Sequence, residues 1–246
     1  MDIGNYVLPP ATYAFRQAAE YMYLDSTNVS LQDVFDIMMS GEIDRDLLHL
    51  KYMAGIVRDE KALATYCIAH GPGDLAMLRF VSERLRGDKD LVLEAVRVCG
   101  SNLKYAAKEL QADKDVVLAA VRLCGYNLKY ATKDLQADKG VVLAAVGEDG
   151  DALKYAGKEL RADKDVVLAA VGEDGDALKY ASKELRTDKD IVLLAVGENG
   201  HALKYASVDL RDDENVVEIA YKEFSGSIEF ASSRIKELVG ERELEK

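Results

Sequence analysis

The sequence predicts an all-α fold, an α-solenoid of tandem 25-residue helical-hairpin repeats with a helical N-terminal cap. A register aspartate returns every 25 residues without insertion, apolar residues follow helical spacing between these aspartates, and a glycine punctuates five of the six repeats at one position. A strict period of this length is typical of stacked modules, each burying its apolar face against its neighbours. Repeats 1 to 6 begin at Asp88, Asp113, Asp138, Asp163, Asp188 and Asp213.

The period divides the chain into four segments. We predict an N-terminal helical cap in residues 1–29, two degenerate repeats in 30–87, six αα repeats in 88–237 and a charged C-terminal tail in 238–246. The segment before repeat 1 is degenerate because it spans 29 residues from Asp59 instead of 25. Residues 11–24 are amphipathic and follow Pro9-Pro10, which favours a capping helix.

The first helix of each repeat is predicted to begin just after the register aspartate, which we number position 0. An aspartate there can act as the N-cap, because its carboxylate accepts hydrogen bonds from the first free N–H groups of a helix. Apolar residues at positions 3, 4, 7 and 8 give the i,i+4 spacing of one helix face. In repeat 4 these residues are Val166, Val167, Ala170 and Val171.

A second helix of roughly ten residues is expected after position 12, because apolar residues recur at positions 15, 18 and 22. Glycine at position 12 should end the first helix in the left-handed conformation. Position 18 is always Ala and position 19 always small, which predicts close helix packing. The aromatic residue at position 17 is either an exposed ladder or, as we expect, a wedge between repeats; it is Tyr105, Tyr130, Tyr155, Tyr180, Tyr205 and Phe230.

Composition excludes several classes of function. The net charge of −12 and the pI near 4.8 disfavour general binding to nucleic acid or to anionic membranes, since both need a basic surface. No apolar run reaches the ~20 residues of a membrane span, and the N-terminal residues lack the pattern of a signal peptide. Cys67, Cys99 and Cys124 are expected to be buried or half-buried thiols in a reducing, cytoplasmic compartment; a Cys99–Cys124 disulfide is the alternative.

The residues DKDVVLAAV, a glycine after three further residues, and then ALKYAS and EL resemble the domain-of-unknown-function 4116 repeat family. The resemblance is clear over residues 88–237 and weaker over 59–87. It implies tandem short helical repeats without catalytic residues, in a family that occurs in bacteria, including secreted effectors of intracellular pathogens, in protists and in some viruses. A host-interaction protein that sequesters one target, delivered into a host cytosol, is therefore an alternative function.

No constellation of catalytic or metal-binding residues stands out. His49, His70 and His201 are scattered, and none has a second histidine or cysteine at metal-ligand spacing. The segments GEDGD at 147–151 and 172–176 resemble the start of a calcium loop but lack its terminal glutamate, so we expect acidic turns. We therefore expect no enzyme, cofactor or bound metal.

Binding residues should be those that differ between repeats, because the shared residues hold the stack. The differences concentrate in the turns at positions 9–13, where repeats 1 and 2 carry arginine and repeats 3 to 5 carry acids. The expected function is a non-enzymatic, monomeric protein-binding or scaffold module with an extended acidic surface that suits a basic protein partner. The candidate binding residues are Glu148, Asp149, Asp151, Glu173, Asp174, Asp176, Glu198, Asn199, His201, Arg97 and Arg122.

Two other binding sites fit the sequence. A small-ligand site is the alternative at the N-terminal repeat junction, around Cys67, His70 and Phe80. Lysines at positions 16 and 20 form i,i+4 pairs of like charge, which alone cost a few tenths of a kcal/mol. A groove for an acidic peptide or a phosphate would explain them; the pairs are Lys104/Lys108, Lys129/Lys133, Lys154/Lys158 and Lys179/Lys183.

Overall fold

The computed structural model describes residues 61–70 and 76–244, and all regular structure within these ranges is helical. The chain divides into two compact units, residues 1–107 and residues 108–246. The described elements of the first unit are α1 (Lys61–His70), η1 (Met77–Phe80), α2 (Glu83–Arg86), α3 (Lys89–Val98) and η2 (Gly100–Tyr105), where η denotes a 3₁₀ helix.

The second unit contains one long α-helix and one six-residue 3₁₀ helix in each of repeats 2 to 6. The long helices are α5 (Lys114–Val121), α7 (Lys139–Val146), α8 (Lys164–Glu173), α9 (Lys189–Glu198) and α10 (Glu214–Glu223). The 3₁₀ helices are η3 (Gly125–Tyr130), η4 (Gly150–Tyr155), η6 (Gly175–Tyr180), η8 (Gly200–Tyr205) and η10 (Ser225–Phe230). Shorter pieces connect the repeats: α4 (Lys108–Gln111), α6 (Lys133–Gln136), η5 (Leu160–Ala162), η7 (Leu185–Thr187) and η9 (Leu210–Asp212). The last helix is α11 (Ser233–Leu244), which includes most of the predicted tail.

Helices of consecutive repeats stack in two rows within the second unit. Each long helix packs on the next, from α5 to α10, and each six-residue 3₁₀ helix packs on the next, from η3 to η10. A long helix such as α8 also contacts the 3₁₀ helices of its own and the preceding repeat, η6 and η4. The apolar residues at positions 3, 4, 7 and 8 are buried between the rows in every one of these repeats except at Tyr221, which is half-buried. The predicted all-α solenoid of 25-residue repeats is confirmed; the predicted N-terminal helical cap in residues 1–29 lies outside the described residues.

The predicted N-caps are also confirmed. The carboxylate of Asp163 accepts hydrogen bonds from the backbone N–H groups of Asp165 and Val166, at 3.0 and 3.2 Å. The register aspartates of the other five repeats cap their helices in the same way. Aspartate recurs at position 0 because each long helix starts there and needs an acceptor for its first N–H groups.

The prediction of a second α-helix of roughly ten residues is wrong. In repeat 4 the chain runs from η6 into Ala181, whose backbone is extended (φ −62°, ψ 155°), and only then into the short η7. The N–H of Ser182 donates to the carbonyl oxygen of Arg161 in the preceding repeat, at 2.8 Å. Position 19 makes this hydrogen bond in repeats 2, 3, 5 and 6 as well. The helix is interrupted because the hydrogen bond that would continue it joins neighbouring repeats instead.

The left-handed helix end predicted at position 12 is wrong too. Residue Asp174 is extended (φ −145°, ψ 111°), and Gly175 begins the 3₁₀ helix without a positive φ. A Cβ on Gly175 would lie 2.2 Å from the carbonyl oxygen of Ala195 in the next repeat. Glycine is required at position 12 because the backbone of the following long helix approaches it closely. In repeat 6 the equivalent Ser225 is exposed.

Candidate functional site

A row of lysine–aspartate ion pairs joins the N-terminal ends of the long helices. The ammonium of Lys139, at position 1 of repeat 3, lies 2.9 Å from the carboxylates of both Asp163 and Asp165 in repeat 4. Equivalent pairs span 2.6–2.7 Å: Lys114–Asp138, Lys164–Asp188 and Lys189–Asp213 in the second unit, and Lys61–Asp88 in the first. Sequence reasoning missed this row, although lysine follows the register aspartate in repeats 1 to 5.

These ion pairs hold the register aspartates in their charged form. The hydrogen bond from Lys139 and those from the helix N–H groups lower the pKa of Asp163, while partial burial opposes the shift. Hydrogen bonds with Asp165 and Asp163 raise the pKa of the Lys139 ammonium, and partial burial opposes this shift. Both charges are therefore engaged within the stack.

Three of the predicted binding residues are helix caps. The carboxylates of Asp149 and Asp174 accept a hydrogen bond from the backbone N–H two residues on, at 3.0 and 2.9 Å, and so begin η4 and η6. The side-chain oxygen of Asn199 does the same at 3.0 Å for η8. All three residues are half-buried at position 11, so their side chains are part of the repeat's own structure.

Two more predicted binding residues are ion-paired with the next repeat. Lys179 lies 2.9 Å from the carboxylate of Asp151, and Lys204 lies 3.5 Å from that of Asp176. Burial opposes the charge on Lys179, yet its hydrogen bonds with Asp151 and Tyr180 raise the pKa of its ammonium. In repeats 4 and 5, lysine at position 16 is thus neutralised by the aspartate at position 13 of the preceding repeat.

The glutamates at position 10 differ from these aspartates. Glu148, Glu173 and Glu198 are exposed, and their carboxylates make no hydrogen bond or ion pair with any described residue. Arg97 in the first unit and Arg122 in the second are also exposed. The ring of His201 is half-buried and stacks on Phe224, with centroids 4.0 Å apart. Of the predicted acidic residues, the glutamates alone are exposed without also capping a helix or pairing with a lysine.

The tyrosines at position 17 are half-buried, which corrects the expectation of a buried wedge. In each of the five repeats that carry a tyrosine, the lysine at position 16 places its ammonium 4.6–5.8 Å from the ring centroid. The lysine covers one face of each ring, and such a cation–π contact contributes about 0.5–1 kcal/mol at an exposed site.

A basic groove of about 440 Å³ lies where repeats 2 and 3 meet. Its cations are Lys129 and Lys133 of repeat 2 and Lys154, Lys158 and Arg161 of repeat 3. The other lining residues are Gln136, Tyr155, Ala156 and Gly157, so no acidic residue lines it. The four lysines are two of the like-charge pairs at positions 16 and 20 that the sequence singled out.

A pair of tyrosines lies beside the basic groove. The rings of Tyr126 and Tyr155 meet edge to face with centroids 5.1 Å apart, and the ammonium of Lys129 lies 3.7 Å from the Tyr126 centroid. Hydrogen bonding with Tyr155 and Lys129 lowers the pKa of Tyr126, and burial raises that of Tyr155. Tyr126 occupies position 13, which is aspartate in repeats 3 and 4.

Cys99 and Cys124 are not joined by a disulfide, so that alternative is wrong. Cys99 is half-buried as expected, but Cys124 is exposed, contrary to the expectation. At the predicted small-ligand site, Phe80 is half-buried beneath Arg79, whose guanidinium carbon lies 5.0 Å from the ring centroid. The side chains of Cys67 and His70, and all of His49, lie outside the described residues.

Neither a metal centre nor a membrane-spanning helix is found in the part of the chain that the structure describes. No three His, Cys, Asp or Glu side chains there are grouped so that they could hold a metal ion. None of the helices there combines the length and the apolar composition that crossing a bilayer requires.

Comparison with curated proteins and with solved structures gives no match. A family model described as Domain of unknown function (DUF4116) matches six overlapping windows: residues 67–111, 88–136, 113–161, 138–186, 163–211 and 188–236. The last five windows begin at the register aspartates of repeats 1 to 5, so each covers two consecutive repeats. The chain therefore belongs to the DUF4116 family, and its repeats keep the register of that family's model.

Proposed function

We propose that this chain is a non-enzymatic protein-binding module. One observation carries the proposal: in the second unit, most side chains that recur between repeats are engaged with other repeats, whereas the glutamates at position 10 of repeats 3 to 5 are exposed. The aspartates at position 0, the alanines at position 7 and the leucines at position 15 all serve the stack. A repeat array of this kind offers neighbouring repeats as one continuous surface to a partner.

The exposed glutamates Glu148, Glu173 and Glu198 are the part of this surface that suits a basic partner. They follow one another at position 10 of three stacked repeats, and no described residue neutralises them. A row of like charges raises the association rate of a partner with opposite charge and rejects partners of like charge. The exposed thiol of Cys124 supports a reducing compartment such as the cytoplasm for this function.

The test combines capture of the partner with a charge-reversal variant. The wild-type chain is used as bait in a lysate of its source organism. Proteins retained in amounts nearly equal to that of the bait are identified by mass spectrometry. Each of them is then purified, and its affinity for the chain is measured by calorimetric titration. The affinity of the variant Glu148→Lys/Glu173→Lys/Glu198→Lys for the purified partner should be lower than that of the wild type by about tenfold or more. The control Glu109→Lys/Glu229→Lys/Glu237→Lys makes the same change in net charge at exposed residues outside the turns, and it should leave the affinity unchanged.

Protein binding by the chain and the role of the glutamates in it can be refuted separately. If no protein titrates with a defined stoichiometry, the chain is not a protein-binding module of the proposed kind. If a partner titrates with equal affinity to the glutamate variant and to the wild type, the module binds through another surface, and the role of the glutamates is refuted.

A further inference from the structure

We propose that the basic groove between repeats 2 and 3 binds an extended acidic segment of a protein partner. This inference rests on the proposed protein-binding function and adds a second, chemically opposite surface to it. It stands on three features of the groove: its uncompensated charge, its open floor and the spacing of its cations.

The charge of Lys154 is uncompensated because an aspartate is missing, whereas the charge of Lys158 interacts without an ion-pair contact with the carboxylate of Glu184. Lys179 and Lys204 are each neutralised by an aspartate at position 13 of the preceding repeat. For Lys154 that position is Tyr126, which holds the ring of Tyr155 and offers no carboxylate. No ion pair joins Lys129, Lys133, Lys154, Lys158 or Arg161 to a described residue. Five cations thus share one groove, in a chain whose net charge is −12.

The floor is open because of a glycine. Position 19 is Ala, Thr or Ser in the other repeats, but it is Gly157 in repeat 3. A Cβ there would lie 3.3 Å from the Cβ of Ala137, so a side chain would have to displace its neighbour slightly. The N–H of Gly157 donates to the carbonyl oxygen of Gln136 at 2.8 Å, and this hydrogen bond between repeats fixes the floor in place.

The spacing of the cations favours a peptide over a compact anion. Two lysines come from repeat 2 and two from repeat 3, and within each repeat the two lie on either side of the extended residue at position 18, Ala131 or Ala156. Lysine ammonium groups are mobile point charges, whereas arginine is the usual residue for gripping a single phosphate or carboxylate with two hydrogen bonds. Several separate ammonium groups match a chain with several separate carboxylates, such as a run of glutamate or aspartate.

Nucleic acid fits the same groove less well. Proteins that bind single strands stack the bases on free aromatic faces. The aromatic residue in this groove is Tyr155, and its ring packs against Tyr126 while Lys154 lies near its face, 5.8 Å from the centroid. The net charge of the chain also repels a polyphosphate backbone.

The experiment measures the binding of a fluorescein-labelled deca-glutamate peptide to the full chain by fluorescence anisotropy. The variant Lys154→Gln/Lys158→Gln removes two groove charges, and it should fold normally because neither lysine forms an ion pair with a described residue. The control Lys222→Gln/Lys236→Gln removes two exposed lysines outside the groove. Two further variants restore the residues of other repeats: Tyr126→Asp supplies the missing acid, and Gly157→Ser fills the floor.

We expect saturable binding of deca-glutamate to the wild type, and a loss of about tenfold or more in affinity for Lys154→Gln/Lys158→Gln and for Tyr126→Asp. Gly157→Ser should weaken binding without any change in charge, and the lysine control should bind within about twofold of wild type. The inference is overturned if the wild type does not bind, if both double variants lose affinity equally, or if labelled oligo-thymidine binds more tightly than the peptide.

Failure of this inference is distinguishable from failure of the protein-binding function. A partner identified by capture is titrated with the groove variant Lys154→Gln/Lys158→Gln. Unchanged affinity would refute the binding of the partner in the groove, but it would not refute the protein-binding function. Weakened affinity, with the lysine control unchanged, would assign the groove to that partner.

Discussion

One methyl group at Gly175 should weaken the stack of repeats. A Cβ at this residue would lie 2.2 Å from the carbonyl oxygen of Ala195 and 3.0 Å from the amide nitrogen of Asn199, both in the next repeat. These are backbone atoms, so no rotamer change can relieve the overlap, and η6 must move away from α9. Overpacking of this kind costs about 1–3 kcal/mol, and we expect Gly175→Ala near the upper end because the whole interface must shift.

The matched control is Gly197→Ala in the same stack. Gly197 lies in the last turn of α9, and nothing is within 4 Å of the place where its Cβ would be. Alanine is favoured over glycine in a helix by up to about 1 kcal/mol, so this variant should be slightly more stable than wild type. Urea unfolding followed by far-ultraviolet circular dichroism measures both. If the two variants shift the midpoint in the same direction, or Gly175→Ala leaves it unchanged, close approach does not explain the glycine.

The register aspartates give two further predictions. Asp163→Ala removes the N-cap of α8 and the ion pair with Lys139, and should cost about 0.5–2 kcal/mol in urea unfolding; Asp163→Asn, which keeps a capping oxygen, should cost less. Equal stability of Asp163→Ala and wild type would contradict the capping role. Hydrogen bonds from lysine lower the pKa of Asp138, Asp163, Asp188 and Asp213 in the folded chain. The stability they contribute is therefore present above the unfolded pKa of about 3.9, and should be lost as the pH falls through the lowered folded pKa values. A urea midpoint that stays level from about pH 5 to about pH 2 would show that these pairs do not stabilise the fold.

Much of the fold follows from local rules. The 25-residue register, the aspartate caps and the buried face at positions 3, 4, 7 and 8 each depend on residues within one helix, so spacing predicts them. The structure of the second half of the repeat cannot be predicted from spacing, because the N–H of Ser182 donates to the carbonyl oxygen of Arg161 in another repeat. Apolar residues at positions 15, 18 and 22 fit a continuous α-helix as well as the broken one that this hydrogen bond produces.

Glycine at position 12 shows a related ambiguity. A left-handed helix end and a close approach of another helix both require a residue without a side chain. Both cases place glycine in the sequence. The carbonyl oxygen of Ala195 near Gly175 shows in the structure that close approach is the reason. Ser225 in repeat 6 is the residue that could have separated the two explanations. A left-handed helix end would require glycine in every repeat, whereas close approach by a following repeat would not require it in the last one.

The candidate site was predicted least well, because the partners of its acids come from neighbouring repeats. Sequence alone did not separate Asp151, which pairs with Lys179, from Glu148, which stays exposed. The basic groove did leave a signal, since Tyr126 and Gly157 depart from the residues that the other repeats carry at positions 13 and 19. Such departures from the repeat can predict a binding site once the register shows which residues of neighbouring repeats face each other.

The most direct test is a ¹H–¹⁵N amide spectrum of the full chain titrated with deca-glutamate. If departures from the repeat form the binding surface, the amides of Lys129, Lys154, Gly157 and Lys158 should shift most. Their counterparts in repeats 4 and 5, where aspartate neutralises the lysine at position 16, should shift little. Equal shifts at equivalent positions of every repeat, or shifts confined to the lysine–aspartate row, would show that the recurring residues bind the ligand and would contradict this account.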